Sequence, residues 1–301
     1  MLNQWSFSVE RALWRNAGLD IQYLGSKGTH LDRSYYSNTP QPGPGAIDAR
    51  RPNQLFRDIR VIQNDMISTY QGVSLVLRQQ FFAGLQGLFS YTWSKTLDVT
   101  TDSNGGGQPM DPYNWKLDYG RSNWDLPHRF VASWTYEIPF LKANNNLFVK
   151  YALANWQING ILIKQSGFPF NVTVPGDPAN TGRTGIQRPN LVGTPRANCG
   201  GDQLTNCIDA SAFALPANFT YGTTPKNVLR GPGLFNLDFS LFKNFPIGEK
   251  VRVQLRAEAF NLTNTPGFAT PNSTFNTAAF GSITSTVNNN RQLQLAAKLL
   301  F

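Results

Sequence analysis

The side chains able to do chemistry are few. Two histidines, His30 and His128, occur in 301 residues, and neither stands in the spacing of a metal site or a catalytic triad. His128 follows Leu126-Pro127 at the start of a strand-like run, which reads as a structural hydrogen-bonding role. Cys199 and Cys207 lie close together in a Gly/Asn/Thr-rich segment. A local disulfide in an oxidising compartment is expected, with two reduced surface thiols as the alternative; without a nearby histidine the pair cannot supply the four ligands of structural zinc. Gly105-Gly106-Gly107 has no Gly-Lys-Ser/Thr after it, so it reads as a loop tip and not a phosphate cradle. No catalytic, cofactor-binding or metal-binding residue is assigned.

What must position the remaining polar groups is a set of strands. Along Val251 to Ala259, the residues Val251, Val253, Leu255, Ala257 and Ala259 point one way, while Arg252, Gln254, Arg256 and Glu258 point the other. No helix sorts residues so. The final segment repeats the pattern, with Leu293, Leu295, Ala297, Leu299 and Phe301 against Gln292, Gln294, Ala296, Lys298 and the out-of-place Leu300. Residues 85–94, 129–137 and 235–241 alternate likewise, and weaker runs lie at 3–13, 17–27, 69–80 and 154–166. About nine strands result, each near the ~9–11 residues that cross a bilayer at a tilt.

The connections alternate too. Short ones lie near Trp14-Arg15-Asn16, Phe81-Phe82-Ala83-Gly84, residues 139–153 and Pro246-Ile247-Gly248-Glu249; long ones lie at 28–68, 97–126, 168–233 and 263–289. Outer-membrane barrels alternate short periplasmic turns with longer extracellular loops. Composition agrees: 15% of residues are charged, against roughly 25% in soluble domains, yet mean hydropathy is only −0.32. Polar and apolar residues must therefore share each strand. No stretch approaches the ~20 apolar residues of a membrane helix. The net charge of +9 is dispersed singly, so nucleic acid is not an expected partner. The fold class expected is all-β: an antiparallel transmembrane β-barrel segment of about nine strands, an incomplete barrel, with long extracellular loops.

On that wall Arg129, Glu137, Asp238, Lys243, Arg252, Arg256, Glu258 and Lys298 fall on the polar set and are expected to face the lumen. Such charges guide a polar solute or hold a plug by ion pairing; alternatively, opposite charges pair across neighbouring strands merely to satisfy the wall. An odd strand number cannot close an antiparallel barrel. Met1 opens directly into Leu2-Asn3-Gln4-Trp5 with no export signal, so further N-terminal sequence is expected.

Three runs carry a family resemblance: Leu229-Arg230-Gly231-Pro232-Gly233, Asn236-Leu237-Asp238-Phe239-Ser240-Leu241-Phe242-Lys243 and Arg256-Ala257-Glu258-Ala259-Phe260-Asn261-Leu262-Thr263-Asn264. Trp124-Asp125-Leu126-Pro127-His128-Arg129-Phe130, Trp156-Gln157-Ile158-Asn159-Gly160 and Ser166-Gly167-Phe168-Pro169-Phe170 join them. Together they resemble the C-terminal barrel of TonB-dependent receptors of the Oar-like type. Leu293, Leu295, Leu299 and Phe301 are similar to the signal read by the barrel assembly machinery. The resemblance implies that residues 1–301 are the C-terminal part of a 22-stranded transporter, its plug and N-terminal strands absent from this chain. It implies three partners: outer-membrane lipid, the assembly machinery, and the TonB energy-coupling complex through the missing plug. Two rivals remain: a passive pore, and a secreted carbohydrate-binding β-sandwich with Tyr113, Trp115 and Trp124 as its platform.

Overall fold

The computed structural model describes residues 1–99, 108–139, 148–247 and 251–301. Among the described residues, nine long strands hydrogen-bond in chain order into one antiparallel sheet. They are β1 (Leu2–Trp14), β2 (Ala17–Tyr36), β3 (Arg60–Phe82), β4 (Leu85–Asp98), β5 (His128–Glu137), β6 (Trp156–Gln165), β7 (Leu234–Ile247), β8 (Val251–Phe260) and β9 (Gln292–Leu300). Chain neighbours are sheet neighbours throughout, the arrangement of an up-and-down barrel wall. The sheet stays open, with β1 paired only to β2 and β9 only to β8. The remaining sheets are two-stranded pairs in the loops, so the second large layer of a sandwich is not formed among the described residues.

Each short turn has a local cause. Asn16 takes the left-handed conformation (φ 65°) between β1 and β2, and Ala83 and Gly84 (φ 51° and 87°) make the two-residue turn between β3 and β4. Positive φ at both central positions matches the right-handed twist of a hairpin. Gly84 is also fixed by contact, because a Cβ there would lie 2.0 Å from the Glu137 carbonyl oxygen. The Gly105-Gly106-Gly107 tip, Gly248-Glu249 of the β7–β8 turn and part of the 139–153 link lie outside the described residues.

Residues directly opposite in a ladder share a face, so the register sorts the wall. One face carries Phe7, Tyr23, Val73, Trp93 and His128 in a single row across β1 to β5. Lower down it carries Trp156, Lys243, Leu255 and Ala297. The apolar band centres on Phe7 in β1, yet the same row meets β5 at its first residue. The band thus slides along the ladder from strand to strand, which a level membrane permits only if the strands tilt. Trp134 lies across its ladder partner Gly160, where a Cβ would sit 2.2 Å from the indole. The glycine lets a large ring lie flat on the outer wall.

Two expectations need correction. The connection expected at 28–68 is largely strand: β2 and β3 stay paired out to Tyr36 and Arg60, and the turn is 37–59. Register shifts between Gly28 and Asp32, with His30 at φ 55°, break the two-residue alternation while pairing continues. Lys243 does not join the polar set. Counting by twos from Leu237, Phe239 and Leu241 puts it on the apolar face, opposite Leu255 and Trp156. It is buried there, donating to the Ala154 carbonyl, with its ammonium 5.1 Å from the Trp156 ring centre and 5.5 Å from that of Phe245.

The long connections, of which residues 37–59, 108–127, 166–233 and 261–291 are described, gather at one end as a cap. Its apolar centre joins Phe170, Val172, Ile208, Phe213, Leu229 and Phe280. Cys199 and Cys207 are disulfide-bonded beside it, Cα atoms 4.8 Å apart.

Candidate functional site

The polar face of the wall is organised in rows. Ser8, Gln22, Ser74, Thr92, Arg129 and Gln165 follow one another across β1 to β6. A second row joins Gln86, Thr135, Asn159, Ser240, Glu258 and Gln294 across β4 to β9. Both climb. Gln86 starts beside the short β3–β4 turn, whereas Gln294 lies at the cap end of β9, so the row is a ramp and not a level ring. A cavity of about 710 Å³ opens onto the second row, lined by Gln86, Ser133, Asn159, Asp238, Ser240 and Glu258. The buried Asn159 Nδ2 carries no hydrogen bond there. The lining mixes amides and hydroxyls, which both give and accept hydrogen bonds, with the carboxylates of Asp238 and Glu258 and the guanidinium of Arg78.

The other expected lumen residues take different parts. Arg129 stands opposite Thr92 and Gln165, high on the wall. Glu137 and Arg252 line one cleft near the short-turn end, with Gln157 and Asn244. Arg256 donates to Gln254 at 2.7 Å and stacks on Phe242 at 4.6 Å, while Lys298 lies opposite Gln254. Asp238 accepts the Asn261 backbone N–H at 2.8 Å and the Asn236 amide at 3.0 Å, so it fastens the start of the last loop. Cross-strand ion pairs join β2 and β3 at Arg78 and Asp20, 3.7 Å apart, and at Arg33 and Asp65, 2.7 Å apart. Leu293, Leu295, Leu299 and Phe301 are all exposed, on the apolar side of the edge strand.

The cap gathers several of the sequence motifs into one joint. Arg230 pairs with Asp125, which also accepts the Thr96 backbone N–H at 2.6 Å, and Arg230 reaches the Gly167 carbonyl at 3.1 Å. Pro169–Phe170 pairs with Leu229–Arg230, and a Cβ on Gly167 would lie 1.8 Å from the Gly231 carbonyl. Neighbouring loops are tied by buried charge. Arg188 donates to Asp118 at 2.5 Å and to the Thr224 carbonyl, and Lys226 donates to Asp98 at 2.5 Å. Tyr113, expected in a sugar platform, spends its hydroxyl on the Ser37 and Thr39 carbonyls, and Trp124 meets Phe168 edge to face at 6.0 Å. Asp118, Arg188, Asp98 and Lys226 carried no sequence signal, since each partner lies far off in the chain. Asp125 and Arg230 did, inside the Trp124-Asp125-Leu126-Pro127 and Leu229-Arg230-Gly231-Pro232-Gly233 motifs.

Comparison with known proteins agrees with this architecture. The crystal structure of the outer membrane transporter YddB from Escherichia coli superposes with a TM-score of 0.52 at 9% identity, over 99% of this chain and 32% of that one. At that identity the likeness is one of fold, and the chain spans about a third of the transporter's length. A search of curated proteins found no match. Residues 1–294 match the family described as outer membrane beta barrel domain. With lipid and water separated on the two faces of one antiparallel wall, the chain belongs to that outer membrane β-barrel family, and its place is the bacterial outer membrane.

Proposed function

We propose that the chain forms the C-terminal wall and outer loops of a TonB-dependent receptor of the Oar-like type, a transporter and not an enzyme. The observation that carries the reading is the joint of Asp125, Gly167, Arg230 and Gly231, where motifs resembling that family converge on one structural task. The open sheet leaves β1 and β9 to pair with further strands, and the polar rows supply a surface for a plug or a passing solute. Outer-membrane lipid covers the apolar face. The barrel assembly machinery reads Leu293, Leu295, Leu299 and Phe301, and energy coupling acts through the plug region.

The test uses the full-length protein purified from outer membranes. Binding of the periplasmic domain of the energy-coupling protein, with low conductance in planar bilayers, is the expected result. A large steady conductance without that binding replaces the reading with a passive pore.

A further inference from the structure

We infer that the apolar side of β2, β3 and β4 carries a groove for a diphosphorylated glycolipid of the outer leaflet. The inference rests on the outer-membrane family and on no part of the proposed transport role. The ladder sets Tyr23, Val73 and Trp93 side by side. Two rings therefore stand about 10 Å apart, two strand spacings, with a small side chain between them.

Two adjoining cavities of about 370 Å³ each follow from this relief. The upper is walled by Tyr23, Gln71, Val73, Trp93 and Lys95; the lower continues past Leu75 and Tyr91, and both share Val73 and Trp93. No Asp or Glu is among the described residues lining either. Lys95 lies opposite Gln71, and Lys27, opposite Thr69, stands one step nearer the cap on β2. Both lysines are exposed.

A hydrocarbon-lined trough crowned by separated ammonium groups has one fitting occupant class. An acyl chain fills the space beside Val73 and Leu75, aromatic rings mark the interface, and phosphates take charge-assisted hydrogen bonds from the lysines. Long loops mark this end as the extracellular one. The lipid is therefore that of the outer leaflet, whose sugar headgroup bears a phosphate at each end. Two lysines on strands about 10 Å apart, two strand spacings, fit that spread better than the single phosphate of a phospholipid.

Native mass spectrometry of the full-length detergent-extracted protein tests this with three probes: diphosphoryl lipid A, monophosphoryl lipid A and phosphatidylglycerol. Affinity should fall in that order. Lys27→Gln with Lys95→Gln should weaken diphosphoryl lipid A about tenfold or more, and Trp93→Ala should weaken all three probes. Lys164→Gln, on the same face opposite Phe130 and Phe235, should change nothing. Heat-modifiable migration confirms that each variant is folded. Equal binding of phosphatidylglycerol, unchanged lipid A binding in the double lysine variant, or an equal loss with Lys164→Gln overturns the inference.

Discussion

The wall and the cap are built on opposite plans. In the wall, Trp5, Phe7, Leu255 and Leu295 are exposed, and no second protein layer covers them among the described residues. In the cap, Phe170, Val172, Ile208, Phe213 and Phe280 bury one another, and the Arg188 and Asp118 side chains are only 3% and 9% exposed. The cap therefore resembles a small water-soluble domain carried on a sheet that needs lipid. The wall derives its order from continuous ladders and the surrounding bilayer; the cap derives its own from burial and from charges that must be paired.

The sharpest break between the two should come from Asp118→Ala, which strands the Arg188 guanidinium in a buried site. Removing one partner of such a pair costs about 3–5 kcal/mol. Protease cleavage within 166–233 should rise in outer-membrane vesicles while heat-modifiable migration persists. Simultaneous loss of both would mean that cap and wall fold as one unit.

Leu255→Arg strikes the wall instead, at about 2–4 kcal/mol for a cation near the bilayer midplane, and should remove heat-modifiable protein without first exposing the loops. Its neighbour Gln254 is a poor control, being buried and bonded to both Asn244 and Arg256. Gln294→Arg serves better, because Gln294 is exposed and faces Glu258. An equal loss in both variants would sink the division of faces.

Replacing both Cys199 and Cys207 by serine should weaken the cap by about 2–3 kcal/mol in the chain-entropy account of a short loop. The wall should not respond. Alkylation of the unreduced protein reports the bond directly, and ready labelling of both thiols would count against it.

The smallest effect is one of pH. Burial, then the nearby Asp111 carboxylate, pushes the Tyr221 phenol above its ordinary range. A raised folded value favours the protonated fold, so this contribution is complete below pH ~10 and shrinks as the unfolded chain begins to ionise. Cap proteolysis above pH 10 should rise more steeply in the parent than in Tyr221→Phe. Identical profiles would remove Tyr221 from the account.

How far the sequence is legible follows the same division. Alternation exposes β7, β8 and β9 because lipid on one side and water on the other force a period of two. It fails at His30, where a bulge resets the parity of β2, and at Lys243, whose charge suggests the wrong face although its position in the count does not. The cap has no period to read. Phe170 and Phe280 meet only because two loops, 166–233 and 261–291, close over one end, and Lys226 finds Asp98 128 residues away. The polar rows are hidden for another reason, since Gln86 and Gln294 become kin only through a ladder register that no single strand contains.

That register gives the inner surface a pitch. From Gln86 to Gln294 hydrogen-bonding groups rise toward the cap as they cross the sheet from strand to strand. Thr135, Asn159 and Ser240 stand at successively greater distances from the short-turn ends of their strands. In the transporter proposed above, a plug or solute seated on this face would meet its polar partners along a helical line instead of a level ring.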